Sequence, residues 1–562
     1  MVEAVEAQNT AQRAGQIQEL FHKEVARRRT FAIISHPDAG KTTLTEKLLL
    51  YGGAIDQAGA VRARKHQRQA VSDWMALEQE RGISITSTVL QFEYQGHLFN
   101  LLDTPGHQDF SEDTYRTLLA VDSAIMVLDG ARGIEPQTRK LFAVCRKQNL
   151  PILTFINKLD LPARDPLELL DEIEQELSIR AAPMNWPIGD GSDFQGVYDL
   201  PGRQVLRFER TAHGKDRAPV AVTDLDDPVL EAMIRPRAYA RLRDDVELLA
   251  GAGAEFDRTA FLAGELTPVY FGSAANNFGV EPFLAALREL APPPGARQSS
   301  QGEVAPTDEQ FTGYVFKIQA NMDPKHRDCM AFLRICSGRF VKDMTVNHPR
   351  LGRTVRMSRP HRLFARERET VEEAFAGDVI GLSNPGIFTI GDTVSSGDTL
   401  HFAPIPPFQP EQFGRLRNLN VSKYKQFNKG LEQLLQEAVI QVLYPIDSAR
   451  REPILAAVGT LQFDVVVARL AAEYNVEAMV EPLPYVGARW VLADEEQLKS
   501  AVWPAQSLRT RDPQGHLVVL FNSPWEMNYC LEKNPRLDFR EVSDVGVGWG
   551  GAHQNGNGRA VA

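Results

Sequence analysis

The alternation of hydrophobic and polar residues changes character twice along the chain. In the first part, short apolar runs alternate with segments of helical spacing, and these runs are 31–34, 98–102, 124–129 and 152–156. Such runs are typical of buried parallel strands joined by helices, so the pattern predicts a doubly wound α/β sheet. From about residue 311, period-two alternation and Gly-Asp turns predict an antiparallel β-barrel, and mixed segments beyond residue 410 predict a small α+β domain.

Breaks in composition place the predicted domain boundaries. A chain of 562 residues suffices for three or four domains at roughly 150 residues each. Proline-rich and polar segments at 291–307 and 404–407 are typical of linkers. The gap between Asp160 and Ser273 is too long for one helix and one strand, which predicts an insertion. The predicted units are a polar extension at 1–24, an α/β domain at 25–295 with an inserted subdomain at about 180–260, a β-barrel at 308–405, an α+β domain at 410–540 and a glycine-rich, disordered tail at 541–562.

A phosphate-binding loop is predicted where the first apolar strand meets the first helical run. Backbone N–H groups at such a helix N-terminus face phosphate oxygens. Lys41 then reaches the β- and γ-phosphates, the Thr42 hydroxyl ligates Mg²⁺, and Gly40 permits close backbone approach. The first position of the pattern is Ser35 where glycine is usual. The candidate phosphate-binding residues are Ser35, His36, Pro37, Asp38, Ala39, Gly40, Lys41, Thr42 and Thr43.

Two later segments supply candidates for the γ-phosphate and the metal. A loop that enters a strand soon after a phosphate-binding helix is where a switch segment closes over the γ-phosphate, and there Ser84 is the candidate second hydroxyl ligand of Mg²⁺. The next apolar strand ends at Asp103, whose carboxylate can hold the metal through water. Gly106 can donate its N–H to the γ-phosphate, and His107 can orient the attacking water.

The base is predicted by the tetrad Asn157-Lys158-Leu159-Asp160, which follows a buried strand. A carboxylate at Asp160 accepts from both N1–H and the 2-amino group of guanine, and adenine offers neither donor. Lys158 can lie over the ring, and Asn157 can connect this loop to the phosphate loop. Ser273 and Ala274 follow a later strand and place backbone N–H groups near the guanine carbonyl. The sequence therefore predicts GTP and GDP as ligands.

Together these motifs resemble those of translational GTPases of the elongation factor class. Three further stretches are similar to bacterial class II peptide chain release factors: Ser72–Met75, Phe316–Asp328 and Leu461–Val467. The resemblance covers roughly residues 18–540. It implies that residues 25–295 bind GTP and that the protein is a ribosome-stimulated GTP hydrolase that uses Mg²⁺. It further implies that the protein is a monomer and promotes departure of class I release factors after peptide release. It also implies that Asp38 faces the catalytic water and that Pro37 and Ile83 occupy the apolar gate beside it.

Other functions fit parts of the sequence. An elongation factor G-like translocase or a ribosome-protection protein shares the motifs, but such chains carry two further domains, for which no folded-looking residues are predicted after Arg540. An ATP-driven enzyme is disfavoured by Asp160. A non-catalytic, nucleotide-switched scaffold is disfavoured by His107, since a histidine at that position favours turnover.

Composition and charge bear on partners and compartment. Hydrophobic residues make up 43% and charged residues 24% of the chain, and no apolar run is long enough to span a membrane. The net charge of −11 disfavours indiscriminate nucleic-acid binding, yet basic residues cluster near residues 62–68, 353–362 and 415–429. Such patches on an acidic protein indicate a charged macromolecular partner, which the resemblance implies is the ribosome. Four cysteines without metal-ligand spacing and a polar N-terminus without an apolar core predict a reduced, cytoplasmic protein.

Overall fold

The computed structural model describes most of the chain. The described residues are 15–16, 18–55, 85–208, 220–226, 231, 234–252, 255–320, 329–364, 367–405, 408–446 and 452–541. The predicted metal ligand Ser84 and gate residue Ile83 lie outside them, as do the stretch Ser72–Met75, the basic cluster near 62–68 and most of the predicted N-terminal extension and tail.

The first part is a twisted sheet covered by helices on both faces. Its strands and those of the neighbouring insertion are β1 (Arg28–Ser35), β2 (Thr88–Tyr94), β3 (His97–Asp103), β4 (Ser123–Asp129), β5 (Ile152–Asn157), β6 (Arg180–Pro183), β7 (Asn185–Ile188), β8 (Gly196–Asp199), β9 (Gln204–Phe208), β10 (Val220–Asp224) and β11 (Leu266–Phe271). Among the described residues the main sheet has the order β2-β3-β1-β4-β5-β11-β6, and β2 alone runs antiparallel to its neighbour. Strand β1 is buried along its whole length, as expected of a parallel strand covered on both faces.

The helices of this part are α1 (Lys41–Tyr51), α2 (Ser111–Leu118), α3 (Pro136–Lys147), α4 (Pro166–Leu177), α5 (Pro236–Ala252), α6 (Arg258–Leu262) and α7 (Val280–Leu290). Helices α3 and α4 begin with proline at the first helical position, where the missing N–H costs nothing. Asp165 caps α4 by accepting a hydrogen bond from Leu167 N. The apolar faces of the helices pack on the two sides of the sheet and form two hydrophobic cores.

A four-stranded antiparallel sheet, with the order β10-β9-β8-β7, lies between β6 and α5 in the chain. Strand β6 itself pairs with β11 in the main sheet, so this separate sheet begins at Asn185. Trp186 is buried, and its indole N–H donates to Asp245 Oδ2 of α5 over 2.9 Å. The indole bond satisfies a buried donor and fixes α5 on the small sheet.

The second part is antiparallel throughout. Its strands are β12 (Arg297–Ser299), β13 (Gly302–Val304), β14 (Thr312–Ala320), β15 (Cys329–Ser337), β16 (Arg339–Val341), β17 (Thr345–His348), β18 (Arg353–Arg356), β19 (Pro360–Phe364), β20 (Glu367–Thr370), β21 (Glu373–Phe375), β22 (Val379–Ser383) and β23 (Thr393–Ser395). Within the described ranges, eight of them form a sheet with the order β18-β17-β23-β14-β15-β22-β19-β20, and β16 pairs with β21. Inward side chains of these strands, including Val315 and Leu333, form a core of their own together with Phe311, which precedes β14.

The third part is α+β. Its elements are β24 (Gln412–Asn418), α8 (Tyr424–Gln436), β25 (Gln441–Pro445), β26 (Ile454–Ala457), α9 (Leu461–Tyr474), β27 (Ala478–Pro482), β28 (Gly487–Leu492), α10 (Glu495–Ser500), β29 (Leu508–Arg511), β30 (Leu517–Phe521), α11 (Pro524–Lys533) and β31 (Asp538–Arg540). Its strands, as far as the structure describes them, follow the order β27-β24-β26-β25-β29-β30-β28-β31. Helices α8 and α9 pack on the first half of this sheet and enclose the largest core of this part.

Buried ion pairs connect the first and second parts. Arg334 of β15 is 1% exposed and donates to Asp122 Oδ2 over 2.5 Å. Arg28 of β1 and Asp378 form a second pair over 2.9 Å, with both side chains at most 4% exposed. The carbonyl of Gly377 also accepts from Arg334 over 2.6 Å. These charges are compensated within the interface, as buried charges require.

No helix in the described part of the chain is long and apolar enough to cross a membrane.

Candidate functional site

The phosphate loop lies between β1 and α1, at the carboxyl end of the parallel sheet. Gly40 precedes α1 with φ 95°, in the left-handed region that favours glycine. A Cβ at this position would overlap the amide nitrogen of Asn157, so the space beside the loop also excludes a side chain. Asp38 likewise has a positive φ of 66°, which aspartate tolerates better than most residues. The backbone here is shaped to face a ligand at the start of α1.

Lys41 and Asp103 form an ion pair at the centre of the candidate site. Lys41 Nζ donates to Asp103 Oδ1 over 2.5 Å, and the two side chains are 6% and 2% exposed. The parallel register of β1 with β3, which pairs Ile33 with Asp103, brings the end of β3 to this loop. The second carboxylate oxygen, Asp103 Oδ2, is buried and has no hydrogen-bond partner in the part of the chain that the structure describes. A hard carboxylate oxygen of this kind fits the water shell of Mg²⁺. Thr42, the other predicted metal ligand in this loop, directly follows Lys41.

Asn157 connects three loops. Its amide nitrogen donates to Ala39 O over 2.9 Å, and its amide oxygen accepts from Ala274 N over 2.9 Å. Ala39, Asn157 and Ala274 are each at most 2% exposed. Both bonds are therefore shielded from water, and they fix the base loop against the phosphate loop on one side and the residues after β11 on the other.

The other members of the base loop are also held by specific partners. Ser273 Oγ donates to Asp160 Oδ1 over 2.6 Å, which leaves Oδ2 of this half-buried carboxylate for a further donor. Lys158 adopts φ 68°, and its ammonium donates to Asp129 Oδ2 over 2.9 Å. Burial acts to raise the pKa of Asp129, but the hydrogen bond and charge of Lys158, the backbone N–H of Ala131 and the charge of Arg132 together lower it. The Lys158 stem is thereby anchored at its tip.

His107 follows the turn at the end of β3. The Thr104 hydroxyl donates to Ile33 O over 2.6 Å and ties this turn to β1. Gly106 packs against Pro37, since a Cβ on it would lie 3.6 Å from Pro37 Cα. The His107 side chain is 30% exposed, and its Nδ1 accepts from Asp109 N over 3.2 Å. The hydrogen bond at Nδ1 therefore fixes the imidazole in the turn that also carries Gly106, which packs against Pro37 of the phosphate loop.

Family models match all three parts of the chain. The GTP binding domain of elongation factor Tu matches residues 26–293, domain 2 of elongation factor G matches 310–397, and the C-terminal domain of class II release factor RF3 matches 402–531. Peptide chain release factor 3 of Gloeobacter violaceus is 59% identical over 523 residues, which cover 93% of this chain and 98% of that protein. The chain belongs to the peptide chain release factor 3 family. Peptide chain release factor 3 of Cyanothece sp. is 57% identical over 529 residues, which cover 94% of this chain and 98% of that protein.

The solved structures agree on the fold of this release factor 3 family member. A crystal structure of a Thermus thermophilus protein superimposes with a TM-score of 0.66 at 24% identity, covering 87% of this chain and 72% of the other. At that identity the likeness shows the fold alone. The predicted fold class, a phosphate-loop GTPase sheet followed by an antiparallel β domain and an α+β domain, is confirmed.

The structure brings the predicted site residues of this family member to one edge of the main sheet. Residues 35–43, 103–107, 157–160 and 273–274 all lie at the carboxyl ends of β1, β3, β5 and β11. Sequence reasoning assigned no role to Asp129 or Asp109, although Asp129 directly follows an apolar run, which is the position where a strand-end carboxylate could have been suspected. The partner of Asp109 lies in the third part, and no sequence signal points to it.

Proposed function

We propose that this protein is a ribosome-dependent GTPase of translation termination that promotes dissociation of class I release factors after peptide release. The observation that carries the nucleotide assignment is the position of Asn157, whose two buried hydrogen bonds hold Asp160 and the phosphate loop on the same side of the sheet. The family match of residues 402–531, which contain none of the predicted nucleotide-binding residues, supports the termination role.

GTP is bound in three places. Asp160 accepts from the guanine base through the oxygen that Ser273 does not use, and backbone N–H groups at the start of α1 face the phosphates. Lys41 pairs with the β- and γ-phosphates, and Asp103 and Thr42 would hold Mg²⁺, Asp103 through water. When bound there, Mg²⁺ would supply positive charge against the charge that develops on the transferred phosphoryl group. Ser84 supplies a further hydroxyl ligand from the switch segment.

Hydrolysis depends on a water molecule that His107 orients. Its Nδ1 is engaged by the backbone of Asp109, so Nε2 is the nitrogen that can reach the water. No arginine is present within the nucleotide motifs from Ser35 to Thr43 or from Asp103 to His107. Part of the charge stabilisation would therefore come from the ribosome, which makes hydrolysis slow in isolation and faster on the ribosome.

His107→Ala tests the catalytic assignment. We expect this variant to bind GTP with the wild-type affinity but to lose ribosome-stimulated turnover by about 10²-fold or more, the usual size of a positioned water-orienting effect. Phosphate release with and without bacterial ribosomes measures turnover, and titration with a fluorescent GTP analogue measures affinity. Stimulated turnover within threefold of wild type would remove His107 from the mechanism.

The termination role is tested on ribosomes that carry a stop codon and a labelled class I release factor. After peptide release, addition of this protein with GTP should accelerate departure of the label, and addition with GDP should not. The matched control is messenger movement on elongating ribosomes, which should be unchanged. Codon-by-codon movement without any effect on the labelled factor would instead favour the translocase alternative.

A further inference from the structure

A buried carboxylate lies between the candidate catalytic histidine and the third part of the chain. Asp109, in the 3₁₀ turn Gln108–Phe110, is 6% exposed. Its Oδ1 lies 3.3 Å from His107 Nδ1, and its backbone N–H donates to the same nitrogen over 3.2 Å. Its other oxygen, Oδ2, accepts from the backbone N–H of Leu461 over 2.9 Å. One side chain therefore contacts His107 and a residue 352 positions further along the chain.

The third part presents this N–H from a shaped turn. The turn at 458–461 leads into α9, and the buried Gln462 accepts from Val458 N over 2.8 Å and from Gly459 N over 3.1 Å. Gln462 also donates to Val439 O over 2.6 Å, which fixes the turn to the segment after α8. A Cβ on Gly459 would overlap the Asp109 carboxylate, so this glycine lets the turn approach the carboxylate closely.

Apolar contacts surround the same connection. Ile85, Phe110 and Val465 form a small hydrophobic cluster that joins the loop before β2, the turn after His107 and α9. Each of the three is at most 5% exposed. The cluster excludes water from the neighbourhood of Asp109, and in such surroundings a carboxylate is costly to leave without hydrogen-bond donors.

We propose that Asp109 is a positioning residue through which the third part of the protein sets the orientation of His107. While the turn at 458–461 is in contact, Leu461 N holds one oxygen of Asp109 and leaves the other beside His107 Nδ1. If the third part moves away, the carboxylate loses that donor and must find another, which changes its contact with the imidazole. A movement of the third part is thereby converted into a change at the water-orienting residue.

The test changes the third part alone. Gly459→Ala places a methyl group against the Asp109 carboxylate without altering any residue of the nucleotide site. Thr460→Ala is the matched control, because the Thr460 side chain is exposed and makes no capping hydrogen bond to α9. We expect Gly459→Ala to lower ribosome-stimulated turnover at least 10-fold with the affinity for GTP within twofold of wild type, and Thr460→Ala to change neither quantity.

A double-mutant cycle separates positioning from a general structural role. If Asp109 acts through His107, then Gly459→Ala should have no further effect, within twofold, in a protein that already carries His107→Ala. Asp109→Asn, which keeps the size of the side chain, serves as a second variant and should give the same loss and the same non-additivity. Independent losses that multiply in the double variant would overturn the proposal.

The turnover measurements rest on the proposed function, so one measurement is made without ribosomes. In the full-length protein labelled at its histidine rings, the His107 resonances are assigned by their disappearance in His107→Ala. Gly459→Ala should shift them, and Thr460→Ala should not. Wild-type protein that ribosomes fail to stimulate would contradict the proposed function, whereas unshifted His107 resonances in Gly459→Ala would overturn the coupling through Asp109.

Discussion

Replacing Asn157 by alanine should weaken guanine nucleotide binding as well as destabilise the fold. The variant leaves two backbone groups without a partner, the carbonyl of Ala39 and the N–H of Ala274, and both residues are at most 2% exposed. A buried group left unsatisfied costs about 1–3 kcal/mol, so the two together cost about 2–6 kcal/mol. Without nucleotide the two loops can loosen and bind water, which recovers part of this cost.

With nucleotide bound, both loops are needed in place. If about half of the cost appears only in the nucleotide complex, the binding free energy falls by about 1–3 kcal/mol, which raises the Kd for GDP by roughly 5- to 150-fold. Isothermal titration of GDP at constant salt and magnesium measures this change directly. Urea denaturation of the same preparations measures the loss of folding stability.

Asn185→Ala is the matched control. Asn185 is 3% exposed and, like Asn157, makes two hydrogen bonds to backbone groups. Its side chain donates to Phe271 O over 3.1 Å and accepts from Phe271 N over 2.7 Å. Its loss should reduce stability by a similar amount but leave the Kd for GDP within threefold of wild type. The reasoning is refuted if Asn157→Ala binds GDP within twofold of wild type, or if both variants lose the same affinity.

Three further predictions concern charge. Asp160→Asn should shift preference from GDP toward xanthosine diphosphate in a competition assay, because the carboxamide offers a donor where guanine needs an acceptor, and unchanged preference would exclude Asp160 from base selection. Arg334→Met leaves the buried Asp122 carboxylate unpaired and should lower the free energy of unfolding in urea by about 3–5 kcal/mol, whereas a loss below about 1 kcal/mol would contradict the importance of this pair. Burial acts to raise the pKa of Asp113, but neighbouring cations led by Lys317 lower it. The ionised Asp113 therefore stabilises the fold above the ordinary aspartate pKa of about 4, and this contribution is lost as the pH falls through the lowered pKa. The difference in the free energy of unfolding between wild type and Asp113→Asn should shrink between about pH 5 and pH 2. A difference independent of pH would refute this assignment.

The fold class could be predicted because its signals are local. The run Phe31–Ile34 before Ser35 is apolar and fully buried, and the turn that follows contains Gly40, whose conformation and surroundings both require glycine. Such short segments carry their own conformational preferences and are readable without their partners. The domain boundaries and the roles of the individual site residues remain predictions, and Ser84 lies outside the described residues.

Contacts across long stretches of chain could not be predicted in the same way. Lys158 was expected to lie over the base, and its fixation by Asp129 follows from the parallel pairing of β4 with β5, which sets Asp129 beside Asn157. The bond from Leu461 to Asp109 depends on how the third part docks on the first. The apolar run before Asp129 marks it as a strand-end carboxylate but does not identify its partner, and Asp109 has no such signal, so only the packed structure reveals these contacts.

The two interfaces of the first part differ in ways that indicate which one responds to the nucleotide. Buried ion pairs, among them Arg334 with Asp122 and Arg28 with Asp378, join the second part to the first, and separating the two parts would leave these charges without partners. Removing one partner of such a pair typically costs about 3–5 kcal/mol, so this interface resists opening. The third part contacts the turn after His107 through the Asp109 carboxylate and a small apolar cluster, and it accepts one further hydrogen bond from Arg116 at Ala438 O over 3.4 Å. If a change at the γ-phosphate moves that turn, the contacts that the structure describes with the third part, which include no pair of buried charges, cost less to break than the ion pairs of the second part. We therefore expect the third part to move with the nucleotide state while the first and second parts move as one body.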